Sequence, residues 1–250
     1  MHFKRKKIMR NVVIDIGNTL YKVALFEKNK LLEVFETEKE VACIAQIRSY
    51  ATEYILLSSV RKDLEFFLDK IDAQVFVLDH HLPVPIKNKY QSPETLGMDR
   101  LAAAVGAKSF FPDKPCLVID LGTCITYDFV SAENEFLGGM IAPGVRMRLQ
   151  AMHQFTQKLP LVEWQPEKDV PITGRNTQEA ILSGAVNGVK GEIYSLRVYY
   201  QTLYPDLQTI LCGGDSLYFE NIKKSNTFAV PKLVLYGLNK ILLHQLENKA

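Results

Sequence analysis

From Asn11 onward, short apolar runs rich in β-branched residues alternate with polar breaks, and their lengths suit strands better than helices. Three strands are predicted in succession, near 11–16, 20–27 and 31–36, with EKNK turning between the last two. A helix over about 38–50, a strand YILLSSV, a helix from Arg61 to about Lys70 and a strand QVFVLD complete a β-β-β-α-β-α-β order. The same order then begins again. CLVIDLG, TCITYDFV and EFLGGMI read as three strands, followed by a helix after Pro143, a long amphipathic helix from about Thr177 to Leu203, a strand QTILCGG and further helices to the end. Between the two copies, LPVPIKNKYQSPETLG is a proline-marked loop leading into the helix MDRLAAAVGAKSF, and FPDKP marks a break. The expected boundary is near residue 112, giving domains 1–112 and 113–250.

The repeat extends to the chemistry. VVIDIGNTLYKVALF at 12–26 and LVIDLGTCITYDFV at 117–130 each place an apolar run, an Asp, a Gly and a Thr before a returning strand. Such a turn leaves backbone N–H groups beside a carboxylate, which suits phosphate oxygens on one side and a metal ion on the other. Either stretch alone is equally an ordinary hairpin whose glycine permits positive φ. The repetition favours two nucleotide-binding walls.

Composition narrows this little: 250 residues with 47% hydrophobic and 23% charged residues allow one large domain or two small ones. A net charge of +2 implies no general affinity for nucleic acid or membrane. HFKRKK near the start reads as a solvated tail, expected to be dispensable. Without a signal-like leader or a long apolar span, the expected location is the cytoplasm. Cys43, Cys116, Cys124 and Cys212 form no CxxC pair and read as mostly buried thiols, with Cys124 set apart by its place in the second turn. GxxxxGK[ST], G-x-G, HExxH and GxSxG are all absent, which sets aside P-loop, Rossmann, protein-kinase, zincin and serine-hydrolase readings. His80 and His81 have no third ligand at a sensible spacing.

Phosphoryl transfer needs the phosphates held, metal charge at their oxygens and the attacking hydroxyl aligned. Asp15, Gly17, Asn18 and Thr19 suit the first two tasks, and Lys22 is either a phosphate ligand or the exposed side of a strand. GMDRLAAAVGA suits the third: Asp99 and Arg100 open a helix behind Gly97, although a carboxylate at a helix start is favoured by the dipole in any protein.

DIGNT at 15–19, GMDR at 97–100, DLGTCITYD at 120–128, GGMIAPG at 138–144 and GRNTQEAILSG at 174–184 together resemble a type III pantothenate kinase of the acetate kinase, hexokinase, Hsp70 and actin superfamily. Departures are a basic extension of about ten residues, Leu121 and Cys124 where Ala is common, and an Asp closing GGD at 213–215. The resemblance implies an α/β, duplicated ribonuclease-H-like (actin-like ATPase) fold, with two mixed five-stranded sheets flanked by helices and a nucleotide cleft between. It implies that Asp15, Ile16, Gly17, Asn18, Thr19, Leu20, Tyr21 and Lys22 form the ATP phosphate loop, with a further contact from Thr123. Asp99 would be the general base. Tyr90, Gly97, Met98, Asp99, Arg100 and Thr177 would hold pantothenate. Asp120 would bind a monovalent cation, potassium or ammonium, and Asp15 would serve magnesium. The implied reaction, ATP plus pantothenate giving phosphopantothenate, opens coenzyme A biosynthesis, and a homodimer is implied. Two alternatives stay open: a regulatory or nucleotide-binding protein like Bvg accessory factor, and a superfamily kinase with another hydroxyl substrate.

Overall fold

Two strand hairpins, each buried on both faces, organise the chain in this computed structural model, which describes residues 10–17, 19–61, 64–222 and 226–249. The chain divides into two units, one of residues up to Phe110 together with those from Leu233, the other of Phe111–Lys232.

In the first unit, β1 (Arg10–Ile16), β2 (Tyr21–Glu27) and β3 (Lys30–Thr37) precede α1 (Glu40–Ser49). Then follow β4 (Tyr54–Ser59), α2 (Glu65–Leu68), β5 (Gln74–Val77), the two-residue β6 (Lys87–Asn88) and α3 (Met98–Phe110). The mixed sheet has the order β3-β2-β1-β4-β5, antiparallel among the first three strands and parallel from β1 to β5. Period-2 side-chain alternation puts Val12, Ile14 and Ile16 of β1 into a core with Val23 and Leu25 of β2, Ile55 and Leu57 of β4, and Ile44 and Ile47 of α1. A central strand buried on both faces is apolar throughout, and Val13 is as buried as its neighbours.

The other face of this sheet is covered by α3 and by α6 (Leu233–Glu247). These two helices approach closely: a Cβ at residue 237 would collide with the Ala102 carbonyl, and one at 106 would stand 2.5 Å from the Leu233 carbonyl oxygen. Two buried amides seal the packing, with Asn11 donating to Asn239 Oδ1 (3.2 Å) and Asn239 donating to the Lys28 carbonyl (2.8 Å). The C-terminal helix therefore belongs to the first unit, a correction to the expectation that 113–250 is one domain. Helix α2 is also a correction. Its four residues fall far short of Arg61–Lys70.

The second unit contains β7 (Cys116–Leu121), β8 (Cys124–Val130), β9 (Glu135–Pro143), α4 (Val145–Gln154), α5 (Thr177–Leu203), β10 (Gln208–Cys212), a 3-10 turn (Tyr218–Ile222) and β11 (Thr227–Ala229). Its sheet has six strands instead of the expected five, and the five strands of this unit run β9-β8-β7-β10-β11, antiparallel then parallel, which repeats the first sheet's order. This is the duplicated ribonuclease-H-like fold. The 27 residues of α5 start where Asn176 caps Glu179 N–H (2.9 Å) and bury Ile181, Ala185, Val186, Val189 and Ile193 along one stripe. Those residues share a core with Leu117, Ile119, Tyr127, Phe129 and Trp164. The strand β11 and the 3-10 turn replace helices expected near the C-terminus. Among the described residues, no helix is long and apolar enough to cross a membrane.

Candidate functional site

In the first unit the chemistry gathers where β1 ends. Register sets Asp15 opposite Lys22 across the antiparallel pair and beside Ser58 in the parallel one, so the carboxylate is flanked on both sides by strands. Lys22 Nζ lies 3.8 Å from Asp15 Oδ2, with only 14% of the Asp15 side chain exposed. The Asp15 pKa is raised from 3.8 to about 6, burial pushing it up most, Lys22 lowering it and the negative charge of Asp99 adding to the rise. Two candidate carboxylates, 84 residues apart in the chain (99 − 15), thus sense each other within one unit.

The turn after β1 is closed by Gly17 N–H donating to the Leu20 carbonyl (3.0 Å) and is tied to β4 by Val60 N–H on the Ile16 carbonyl (3.1 Å). Ile16 and Tyr21 are buried, Gly17 and Leu20 half-buried, and Thr19 exposed. Asn18 lies outside the described residues. Arg61, which sequence reading passed over, stacks 4.6 Å above the Tyr21 ring and donates to its hydroxyl, bracing the return strand.

Asp99 sits in the first turn of α3 with Oδ1 accepting from Arg100 N–H (2.8 Å). A Cβ on residue 97 would stand 2.5 Å from that oxygen, so glycine is what lets the carboxylate fold back over the helix start. Arg100 is buried, its guanidinium 5.5 Å over the ring of Tyr90, and Met98 and Tyr90 are half-buried nearby in sequence. Asn88 fixes the approach of this segment by accepting from Tyr90 N–H (3.0 Å).

The second unit holds the counterpart turn. Asp120 pairs in register with Thr126 of β8 and Cys212 of β10, and the turn closes with Gly122 N–H on the Cys124 carbonyl (3.1 Å). Gly213 has φ +86°, where side chains are strained, and a Cβ there would also press on Asp120 Oδ1 and stand 2.5 Å from the Leu121 carbonyl oxygen. The Gly213 backbone therefore packs directly against the Asp120 carboxylate and the Leu121 backbone, whose carbonyl accepts from Asp215 N–H (3.0 Å). Thr123 is exposed and lines a cavity of about 160 Å³ with Gly122, Arg146, Met147 and Gln150. Gly144 N–H, just before α4, donates to the Thr123 carbonyl (3.0 Å). Thr177 is exposed at the first position of α5. Cys124 is an exposed free thiol, while Cys43, Cys116 and Cys212 are buried. The rings of His80 and His81 lie against each other at a tilt of 42°, centroids 3.9 Å apart. Among the described residues no group of three or more His, Cys, Asp or Glu side chains is arranged to hold a metal ion.

The sequence of residues 11–198 matches the family model described as type III pantothenate kinase. A type III pantothenate kinase from Phocaeicola vulgatus is 41% identical over 237 residues, covering 93% of this chain and 97% of that protein. One from Bacteroides fragilis is 42% identical over 237 residues with the same coverage. Among solved structures, a Baf family protein from Campylobacter jejuni has a TM-score of 0.62 at 21% identity, covering 94% of this chain and 99% of that one. The ROK hexokinase from Thermus thermophilus has a TM-score of 0.57 at 13% identity, covering 96% and 100%. At these identities the structural likenesses speak for the fold alone, whereas the sequence matches run through both Asp turns and the GMDR helix, so that the chain belongs to the type III pantothenate kinase family.

Proposed function

We propose that this chain transfers the γ-phosphoryl group of ATP to the primary hydroxyl of pantothenate, with Asp99 as general base. The hydroxyl oxygen forms a bond to phosphorus, its proton passes to an Asp99 oxygen, and the bond to the β-phosphate breaks to release ADP. The product is 4′-phosphopantothenate, at the opening of coenzyme A biosynthesis. The observation that carries this reading is the placement of Asp99: glycine-backed at a helix start and in the same unit as the Asp15 turn.

The turn from Asp15 to Lys22 binds ATP phosphates through backbone N–H groups and the Lys22 ammonium, and Thr123 adds a hydroxyl contact. Asp15 would hold a magnesium ion, which would supply positive charge to the phosphates. Tyr90, Gly97, Met98 and Thr177 line the acceptor, and Arg100, already oriented by the Tyr90 ring, pairs with the pantothenate carboxylate. Asp120 would hold potassium or ammonium. The working form is a cytoplasmic homodimer, a reading supported by exposed Leu137, Met140 and Ile141 on β9 and by exposed Tyr194 and Tyr199 on α5.

The test is to incubate the protein with ATP and a panel of small alcohols, pantothenate among them, and to measure ADP. Pantothenate-dependent ADP release with a phosphorylated product is expected. Preference for another alcohol would reassign the acceptor, and ADP release with none would leave an ATPase.

A further inference from the structure

In the second unit, Arg146 of the first turn of α4 and Asp215 of the loop after β10 meet across 69 residues of chain, Nη1 lying 2.8 and 2.9 Å from the two carboxylate oxygens. The Asp215 side chain is only 12% exposed, whereas Arg146 is 59% exposed. The guanidinium also lies 4.9 Å over the ring of Trp164, which is buried in the core of the unit and is the single tryptophan of the chain. An exposed cation gripped from one side by a nearly buried carboxylate and from below by a core aromatic is a fixed element rather than a solvated side chain.

What it fixes is the loop facing Asp120. Asp215 N–H donates to the Leu121 carbonyl (3.0 Å), and Ser216 returns to the Gly213 carbonyl through both its N–H (3.3 Å) and its hydroxyl (2.7 Å). Those bonds hold Gly213 in its left-handed conformation with no room between it and the Asp120 carboxylate. Arg146 meanwhile lines the same small cavity as Gly122 and Thr123. One ion pair thereby joins three segments: the start of α4, the Gly213–Ser216 loop and the turn after β7.

We infer that the Arg146–Asp215 pair is a positioning device that sets the Asp120 carboxylate and the Gly122–Thr123 turn for nucleotide binding, touching neither the nucleotide nor the acceptor. The inference rests on the kinase reading for its consequence in turnover, but the placement of the turn is measurable by ATP affinity alone. A positioning pair acts as a unit, so its two members lose their effect together.

The experiment compares Arg146→Gln, Asp215→Asn, Arg146→Gln with Asp215→Asn, and Arg146→Lys in the full chain. ATP affinity is read by calorimetry, KM and kcat by ADP release, and Trp164 emission by selective excitation. Each single variant and the double variant should weaken ATP binding and raise KM for ATP by about the same factor, roughly tenfold, with kcat at saturating ATP within about threefold of wild type. Arg146→Lys, which keeps a cation able to reach both carboxylate oxygens but gives up planar stacking, should retain most of the ATP affinity while shifting Trp164 emission. Asp215→Asn separates positioning from direct contact: if Arg146 itself gripped phosphate, freeing it from Asp215 would leave ATP affinity unchanged or tighter, and that result overturns the inference. Additive losses in the double variant, or melting temperatures lowered with ATP affinity intact, overturn it too. A wild type that binds ATP but releases no ADP with pantothenate overturns the functional reading alone.

Discussion

The turn after β1 and the turn after β7 share a sequence pattern and a place in equivalent sheets, yet they are stabilised by different physics. At Asp15 the neighbours are charges: Lys22 across the strand pair at 3.8 Å and Asp99 on the opposing side of the balance. At Asp120 the Gly213 backbone packs so closely that a Cβ there would stand against the carboxylate, and the loop carrying Gly213 is held by the Arg146–Asp215 pair. Duplication supplied the frame twice, and the side chains around each copy divide the labour. The first turn is set by side-chain charge, the second by close backbone packing.

Removing the carboxylate of the second turn should have the largest effect. Asp120→Ala is expected to abolish activity and to lose any response to potassium or ammonium, whereas the wild type should be slow in sodium and rise steeply with either ion at fixed ionic strength. Equal rates in all monovalent salts would show that Asp120 serves the turn and not a cation. Next is Gly213→Ala, which adds a side chain at φ +86° against the Asp120 carboxylate and the Leu121 carbonyl. It should destabilise the fold by about 1–3 kcal/mol in urea unfolding and weaken ATP binding as well. A neutral result would mean that the second turn is not packing-limited.

The first turn should answer to pH instead. Between 3.8 and about 6 the folded chain keeps a proton on Asp15 that the unfolded chain has released, so this group's contribution favours the fold on the acid side and is lost as pH rises through that window. Asp15→Asn should therefore raise stability at neutral pH by about 1–3 kcal/mol in chelator, while removing activity. Smallest is Lys22→Gln, expected to push the Asp15 pKa above about 6 and to lower neutral-pH stability by a fraction of that amount, seen as a shifted pH dependence of the melting temperature. No shift would mean that the pair is fully screened.

Much of this frame is legible in the sequence because the signals are local. Apolar runs ending in Asp and Gly locate β1 and β7, and an amphipathic stripe behind an Asn cap defines α5 at Thr177–Leu203. What is not legible depends on distance along the chain. Helix α6 has the right pattern for a helix, but only the close backbone approach at Gly237 and the Asn11–Asn239 pair decide that it joins the first unit. RKDLEFFLDK has helical spacing, yet among its described residues only Glu65–Leu68 is helical. At the site, GMDR marks Asp99 and Arg100, whereas Lys22 as the partner of Asp15 follows from register, and Arg146 with Asp215 from a tertiary contact no local pattern announces. GGD at 213–215 marks that loop in the sequence without indicating what Asp215 meets.

The most direct test of the central claim, that Asp99 is the base beside the first turn, is the steady-state kinetics of Asp99→Asn with ATP and pantothenate. The account requires kcat to fall by roughly 10²–10⁴-fold with ATP affinity and melting temperature nearly unchanged, because the substitution keeps the shape of the side chain and removes only its basicity. Near-normal turnover in that variant would contradict it and return Asp99 to the role of a helix-start carboxylate.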